Sequence, residues 1–145
     1  MRPDQHASTN FFLFFHRKTG ENGSEIWLSI IGDVFDVTTG EDFYGKGRSY
    51  GAFAGRDASV PFVTGVFTAE EAQKSADVIS MKELGGLLEW HTFYETHKEY
   101  SFVGRLIDPR YYDEKGQPTP DLESLQGRLE TVKAEQEAKR KKKKR

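Results

Sequence analysis

Three tyrosines carry the side chains with the most distinctive chemistry in this sequence. Tyr44 and Tyr50 lie in a glycine-rich stretch between Gly32 and Ser59, and Tyr100 follows a long apolar segment. Phenol oxygens serve as metal ligands or hydrogen-bond donors, and glycines let the backbone approach a bound molecule closely. The stretch therefore suits a flat ligand, although three tyrosines considered alone are more often packing residues.

Other ligand sets and catalytic sets are harder to find. The chain has no cysteine, so thiolate ligation is excluded and an iron ligand must be an oxygen or a nitrogen. His91 and His97 stand six residues apart in a predicted helix, which separates them by about 120° around its axis, so they cannot converge on one iron. We find no phosphate-binding loop, nucleophile elbow or paired acid and base, and this predicts a protein that is not an enzyme.

Apolar segments predict a small sheet, because residues 25–31 are rich in Ile, Leu and Trp and residues 34–37 alternate between apolar and polar side chains. Residues 25–31 and 34–37 are expected to form a β-hairpin around a two-residue turn at Gly32-Asp33. Residues 100–107 are expected to return as a further strand. The hairpin would then lead directly into the glycine- and tyrosine-rich segment.

Helical signals occupy the chain between these strands. Short helical turns are predicted over residues 50–54 and 59–63. A long helix is predicted over residues 81–97 because apolar residues recur there at spacings of three and four, with Ser80 and Glu83 forming a capping box. The expected fold is therefore α+β, with a small sheet and short helices forming a ligand slot.

These elements meet the demands of a haem site. Haem needs an apolar slot, an axial ligand and donors for its propionates, and a tyrosine oxygen is an attested axial ligand. The three tyrosines and the apolar face of the long helix supply such a set.

Several motifs in order along the chain resemble the membrane-associated progesterone receptor family, a branch of the cytochrome b5-like haem-binding domains, and most of all its neuferricin type. They read Val-Phe-Asp-Val-Thr at 34–38, Phe-Tyr-Gly at 43–45, Tyr-Gly-Ala-Phe-Ala-Gly-Arg-Asp-Ala-Ser at 50–59, Phe-Val-Thr-Gly at 62–65, Val-Gly-Arg at 103–105 and Tyr-Asp-Glu-Lys-Gly-Gln-Pro-Thr-Pro at 112–120. The resemblance covers roughly residues 25–120.

The resemblance implies a cytochrome b5-like fold that binds haem b, with Tyr50 as the iron ligand. It also implies that Tyr44 and Tyr100 form hydrogen bonds around the haem. Family members carry a lysine immediately before the last of these tyrosines. Here that position is Glu99, and Lys98 stands one residue further back, so Lys98 is the candidate for this contact.

The implied function is that of a non-catalytic haem-binding protein. One alternative is a haemless adaptor or binding module for a sterol-like ligand, and another is an electron-transfer partner of haem monooxygenases. Tyrosine ligation lowers the iron potential and argues against routine electron transfer. The family further implies a haem-dependent self-association or protein partner, and a place in the endomembrane system, at the endoplasmic reticulum membrane, or in secretion.

The segment 121–145 is expected to be a helical, lysine-rich tail. Residues 139–145 are all Lys or Arg, so the rest of the chain holds 14 basic and 23 acidic residues. Such a run is usually a solvated tail, and its alternative role is to attract an anionic membrane surface, while no nucleic-acid partner is expected. An apolar stripe ends at Val132, and we expect the tail from about Leu122 onward to be dispensable for folding.

Residues 1–24 are expected to be poorly ordered. The run Phe11–Phe15 suits a packed strand or helical turn, a remnant of a membrane anchor, or an exposed patch. Family members begin with a short helix of Thr-x-x-Glu-Leu type, which we do not find here. No stretch reaches the length of a membrane span, so the sequence as it stands suits a soluble or peripheral protein.

The pair Arg56-Asp57 inside the longest motif is interpreted as structural. Asp57 is expected to cap the following helical turn and Arg56 to meet a carboxylate. A ligand-binding pair is the alternative.

Overall fold

The computed structural model describes residues 15–144, whose centre is a three-stranded antiparallel sheet. Its strands are β1 (Trp27–Ile30), β2 (Asp33–Asp36) and β3 (Ser101–Arg105), in the order β1-β2-β3. The register of β2 against β3 shifts between Val34 and Phe35. The predicted hairpin and returning strand are confirmed.

The predicted hairpin turn is wrong by one residue. Ile30 pairs directly with Asp33, so the two turn residues are Ile31 and Gly32, with φ angles of 54° and 79°. Tight hairpins favour positive φ at both positions, but a β-branched residue adopts it only at a cost. The Ile31 amide donates a 2.7 Å hydrogen bond to the buried hydroxyl of Ser59, which holds the turn in this conformation.

Within residues 15–144, α-helices and short 3-10 turns complete the fold. The α-helices are α1 (Glu41–Tyr44), α2 (Ser59–Thr64), α3 (Ala69–Ala72), α4 (Met81–Thr96) and α5 (Pro120–Lys143). The predicted capping box between Ser80 and Glu83 starts α4, which ends within one residue of its predicted end. A 3-10 turn at Gly51–Phe53 and helix α2 occupy the two predicted helical turns.

The core lies between the sheet, α4 and the first half of α5. From α4, Leu84, Leu87 and Tyr94 are buried. From α5, four apolar side chains join the same core, namely Leu122, Leu125, Leu129 and Val132. Burial of Leu122 to Val132 differs from the expectation that the tail is dispensable from Leu122, because this stripe closes one side of the core.

The chain ahead of β1 also packs against the domain. Phe15 is buried in the core and Thr19 forms a bridge with Ile26, so the described part of the N-terminal segment is more ordered than expected. Residues 1–14, which include most of the Phe11–Phe15 run, lie outside the described residues. Within residues 15–144, no helix has the length and apolar character needed to cross a membrane.

Asp57 ties the glycine-rich segment to the hairpin. Its buried carboxylate accepts hydrogen bonds from the hydroxyls of Ser29 at 2.6 Å and Tyr111 at 2.8 Å, and from the amide of Ser59 at 3.0 Å. The predicted N-cap role of Asp57 is wrong: Ala58 is the N-cap residue of α2 and makes no side-chain capping hydrogen bond, and the bond from the Ser59 amide to Asp57 closes a local turn just ahead of the helix. Arg56 donates instead to a backbone carbonyl of the preceding turn at 2.9 Å, so the predicted carboxylate partner is wrong.

Candidate ligand-binding cleft

An open cleft of about 550 Å³ lies between the tyrosine segment, α4 and the start of β3. It is lined by Phe43, Tyr44, Tyr50, Gly86, Glu89, Trp90, Phe93, His97 and Tyr100. This volume falls within the range of about 300–1,000 Å³ that is usual for small-molecule sites. The fold therefore brings together three side chains that are separated by up to 56 residues in the sequence.

The three predicted tyrosines form a cluster in this cleft. The ring centroid of Tyr44 lies 5.8 Å from that of Tyr50 and 6.2 Å from that of Tyr100. α1 ends at Tyr44, a loop brings Tyr50 back beside it, and Tyr100 directly precedes β3. Three phenol groups thus face one small volume.

Tyr44 is fixed by a partner that the sequence analysis did not single out as a site residue. Its hydroxyl lies 2.6 Å from the hydroxyl of Tyr94 on α4, and both side chains are buried. Burial raises the pKa of Tyr44 and of Tyr94, and it raises that of the partly buried Tyr100 as well. These phenols therefore stay protonated near neutral pH and act as hydrogen-bond groups.

The hydroxyl of Tyr50 differs from that of Tyr44. Within residues 15–144, no hydrogen-bond partner is recorded for it, and the side chain is only partly buried. Its ring is held by aromatic contacts, stacking on Phe53 at 6.0 Å and meeting Phe62 edge-on at 5.6 Å and Phe67 at 5.4 Å. Ring packing positions Tyr50 while its oxygen remains available to a ligand.

Aromatic side chains give the cleft an apolar wall. Trp90 stacks on Phe62 with ring centroids 4.3 Å apart and planes within 10°, and Phe93 meets Trp90 edge-on at 5.8 Å. Trp90 and Phe93 lie in the helix predicted over residues 81–97, but the sequence gave no signal for the stacking of Trp90 on Phe62, 28 positions earlier. Such a wall suits a flat apolar ligand.

Two glycines leave room that a side chain would occupy. A Cβ atom at Gly40 would lie 2.5 Å from the phenol oxygen of Tyr100 and 3.0 Å from the ring of Tyr44, so glycine permits their approach. Gly86 lines the cleft on α4, and a Cβ atom there would meet no heavy atom within 4 Å. The first glycine positions the tyrosines and the second keeps the cleft open.

Comparison with known proteins identifies the fold family. Residues 13–107 match the family model described as a cytochrome b5-like heme/steroid binding domain. The chain belongs to this family. A hypothetical protein from Arabidopsis thaliana, described as having a cytochrome b5-like fold, shares 35% identity at a TM-score of 0.58, covering 67% of this chain and 88% of that protein. The α+β cytochrome b5-like fold is thereby confirmed.

Curated relatives within the family carry the names that the motifs indicated. A neuferricin homolog from Drosophila pseudoobscura is 50% identical over 102 residues, which are 69% of this chain and 35% of that protein. Membrane-associated progesterone-binding protein 4 of Arabidopsis thaliana is 43% identical over 103 residues, or 71% of this chain and 41% of that protein. The chain thus spans about a third to two fifths of the length of these relatives.

Lys98, which the family resemblance implied as a haem contact, lies outside the cleft that the three tyrosines line. It is exposed and does not line the cleft, and neither does Glu99. His97 takes the place beside Tyr100, stacked on its ring at 3.8 Å, and accepts a hydrogen bond at Nδ1 from the Glu99 amide. His97 was not predicted as a site residue, and the cytochrome b5-like family resemblance gave no reason to choose it.

The two histidines of α4 diverge, as their spacing predicts. His91 Nε2 lies 2.7 Å from Asp33 Oδ2 at the hairpin, and only His97 reaches the cleft. Within the described part of the chain, no group of three or more His, Cys, Asp or Glu side chains forms a metal site. Haem brings its own pyrrole nitrogens, so a single protein oxygen is enough to complete its attachment.

Proposed function

We propose that this chain binds haem b in the tyrosine cleft, with Tyr50 as the axial ligand, and that it acts as a binding protein. The observation that carries the proposal is the Tyr50 hydroxyl, which has no recorded hydrogen-bond partner within residues 15–144 while its neighbour Tyr44 is engaged by Tyr94. Bound in this way, haem supplies a ferric centre of low potential.

The residues around Tyr50 support this assignment. Trp90, which lines the cleft and stacks on Phe62, offers an apolar wall for the macrocycle. One helical turn earlier, a Cβ atom at Gly86 would meet no heavy atom within 4 Å, so the cleft is open there. Tyr44 and Tyr100 remain protonated and can donate hydrogen bonds to polar groups at the haem edge. Lys98 is the least supported of the candidates, since it lies outside the cleft lining.

A binding role is favoured over catalysis by the chemistry of the lining. General acid–base catalysis near neutral pH needs a group that exchanges protons there. Burial raises the pKa of Tyr44 and Tyr100, which removes them from that role. Among the lining residues, Glu89 is exposed, and His97 is already engaged, because its Nδ1 accepts the Glu99 amide and its ring stacks on Tyr100.

A metal-free apolar ligand is the second candidate for the same cleft. The rings of Trp90 and Phe93 in the cleft lining suit any flat apolar molecule, and the family description names steroids beside haem. A sterol-like ligand would use the aromatic wall without needing the Tyr50 oxygen. The two candidates therefore differ in their dependence on Tyr50.

Titration with haemin, followed by Soret absorbance, tests the location of the site through Gly86→Leu. The new side chain enters open space in the cleft, and leucine favours a helix over glycine by about 1 kcal/mol, so folding is preserved. We expect the wild-type protein to bind one haem per chain and Gly86→Leu to lose at least about tenfold in affinity. A matched control is Gly127→Leu, which changes an equally open glycine on α5 outside the cleft lining. Equal haem affinity in Gly86→Leu and Gly127→Leu would show that haem binds outside this cleft.

A further inference from the structure

A second concave surface lies beside the cleft, between α4 and the distal half of α5. This groove has a volume of about 710 Å³. It is lined chiefly by Lys133, Lys139, Arg140 and Lys143 of α5 and by Glu89 and Thr92 of α4. α5 continues as a helix as far as Lys143. Three residues of the basic run 139–145, namely Lys139, Arg140 and Lys143, therefore lie on the helical wall of this groove.

The groove adjoins the mouth of the cleft. Glu89 lines both concavities, which places them on the two sides of one exposed ridge of α4. At the cleft mouth, the side chains of Phe43 and Phe93 are 56% and 43% exposed. Basic residues thus lie close to exposed aromatic rings, the combination found on proteins that bind at a membrane interface.

The charges facing the groove are predominantly positive. Glu89 and Glu137 are its acidic members, and the Glu137 carboxylate lies 3.6 Å from Arg140 Nη2 at an exposed position. Within residues 15–144, Lys139 and Lys143 are in no recorded ion pair. Ahead of residue 139 the chain holds 14 basic and 23 acidic residues, so this end of the molecule is the favourable place for an anionic surface.

We propose that this face docks on an anionic lipid surface, with lipid headgroups entering the groove and Phe43 and Phe93 lying at the interface. The cleft mouth then opens toward the leaflet, from which an apolar ligand can enter. Nucleic acid is the less favoured occupant, because the exposed rings of Phe43 and Phe93 border an apolar cleft, an arrangement that suits a lipid interface. The docking does not depend on which ligand the cleft holds.

Sedimentation of the full chain with phosphatidylcholine vesicles, with and without phosphatidylserine, tests the proposal directly. One variant, Arg140→Gln with Lys143→Gln, removes two groove charges; the matched variant, Lys141→Gln with Lys142→Gln, removes two neighbouring charges outside the groove lining. We expect salt-sensitive binding only to the anionic vesicles. The groove variant should bind about fivefold to thirtyfold more weakly, and the matched variant should lose distinctly less.

The aromatic part of the proposed face has its own control. Phe43→Ser should weaken binding to the anionic vesicles about threefold or more. Val78→Ser removes an apolar side chain of similar exposure, 57%, that lines neither concavity, and should leave binding unchanged. Glu89→Gln should strengthen binding, because it removes an acidic group from the groove wall.

Four outcomes would overturn the proposal. These are absence of vesicle binding, equal binding to neutral vesicles, equal losses in the two double variants, and tighter binding of duplex DNA that is lost in the groove variant. The last outcome would assign the groove to nucleic acid. Haem is absent from every arm of the assay, so failure here leaves the haem titration as a separate result.

Discussion

Hydrogen bonding separates the roles of the cleft tyrosines at the level of single residues. The hydroxyls of Tyr44 and Tyr94 lie 2.6 Å apart in the interior, so each satisfies the other. The Tyr50 hydroxyl sits in a partly exposed cleft and is positioned only through its ring. A buried, paired phenol suits an orienting role, whereas an available oxygen suits ligation.

The first prediction concerns the groups around the ligand. Tyr44→Phe and Tyr100→Phe should each weaken haem binding by about ten- to a hundredfold, the usual effect of removing an outer-shell partner, and less than Tyr50→Phe does. The measurement is a haemin titration of each variant by absorbance. If Tyr100→Phe were the most damaging of the three, Tyr50 would not be the ligand.

Tyr94→Phe is the control for the structural part of the Tyr44 effect. It breaks the same hydrogen bond from the other side and should cost about 1–3 kcal/mol of stability, as Tyr44→Phe does. Tyr94 does not line the cleft, so haem affinity should fall less in this variant than in Tyr44→Phe. Equal losses of affinity would mean that Tyr44 acts only through the fold.

Histidine substitutions give a second comparison at the residue scale. His97→Ala removes a ring stacked on Tyr100 at 3.8 Å and should weaken haem binding modestly without changing the high-spin ferric spectrum. His91 lies outside the cleft lining, so His91→Ala should leave both the haem affinity and the absorbance spectrum unchanged. A change of spin state in either variant would indicate a histidine ligand.

At the level of elements, Asp57 joins the hairpin to the start of α2. Its carboxylate collects hydrogen bonds from Ser29, Ser59 and Tyr111, three residues that belong to separate parts of the chain. Ser59 in turn holds the strained Ile31 turn. The loop that carries Tyr50 is therefore attached to the sheet through this buried carboxylate.

The second prediction follows from that network. Asp57→Ala leaves buried hydroxyls without an acceptor and should lower the free energy of unfolding by about 3 kcal/mol. The exposed Asp42 supplies the control, and Asp42→Ala should change stability by less than about 0.5 kcal/mol. Urea unfolding followed by circular dichroism measures both. A small effect of Asp57→Ala would show that the network is not needed for folding.

Over the whole molecule, local sequence signals predicted the elements well. The first hairpin strand followed from its content of Ile, Leu and Trp and the second from alternation, and α4 followed from its apolar spacing and the Ser80–Glu83 capping box, because these signals are local in the chain. The motif resemblance added the family, which compositional reasoning alone could not supply. The grouping of Tyr44, Tyr50 and Tyr100 likewise came from the family and not from their spacing.

Long-range contacts account for what the sequence could not show. The pairing of Tyr44 with Tyr94 spans 50 residues and has no local signature. The shift of the hairpin turn to Ile31-Gly32 depends on the distant Ser59 hydroxyl. The apolar stripe of α5 was visible, but only the fold shows that Leu122 and Val132 are buried in the same core as the sheet.

The third prediction is a pair of truncations that test this packing. Deletion of residues 133–145, of which residues 133–144 are exposed or half-buried, should preserve both folding and haem binding. Deletion of residues 121–145 also removes Leu122, Leu125, Leu129 and Val132, each worth about 2 kcal/mol or more when buried, and should unfold the domain. Thermal unfolding by circular dichroism compares the two. If the protein still folded without residues 121–145, the apolar side chains of α5 would not be needed for the core.

The central claim is that the Tyr50 oxygen holds ferric iron, and the absorbance spectrum of Tyr50→Phe with haemin tests it most directly. Phenylalanine keeps the ring that packs on Phe53, Phe62 and Phe67 and removes only the oxygen. We predict that the wild-type protein gives a high-spin ferric spectrum and that Tyr50→Phe loses it together with at least about a hundredfold in affinity. An unchanged spectrum and affinity in Tyr50→Phe would contradict the assignment.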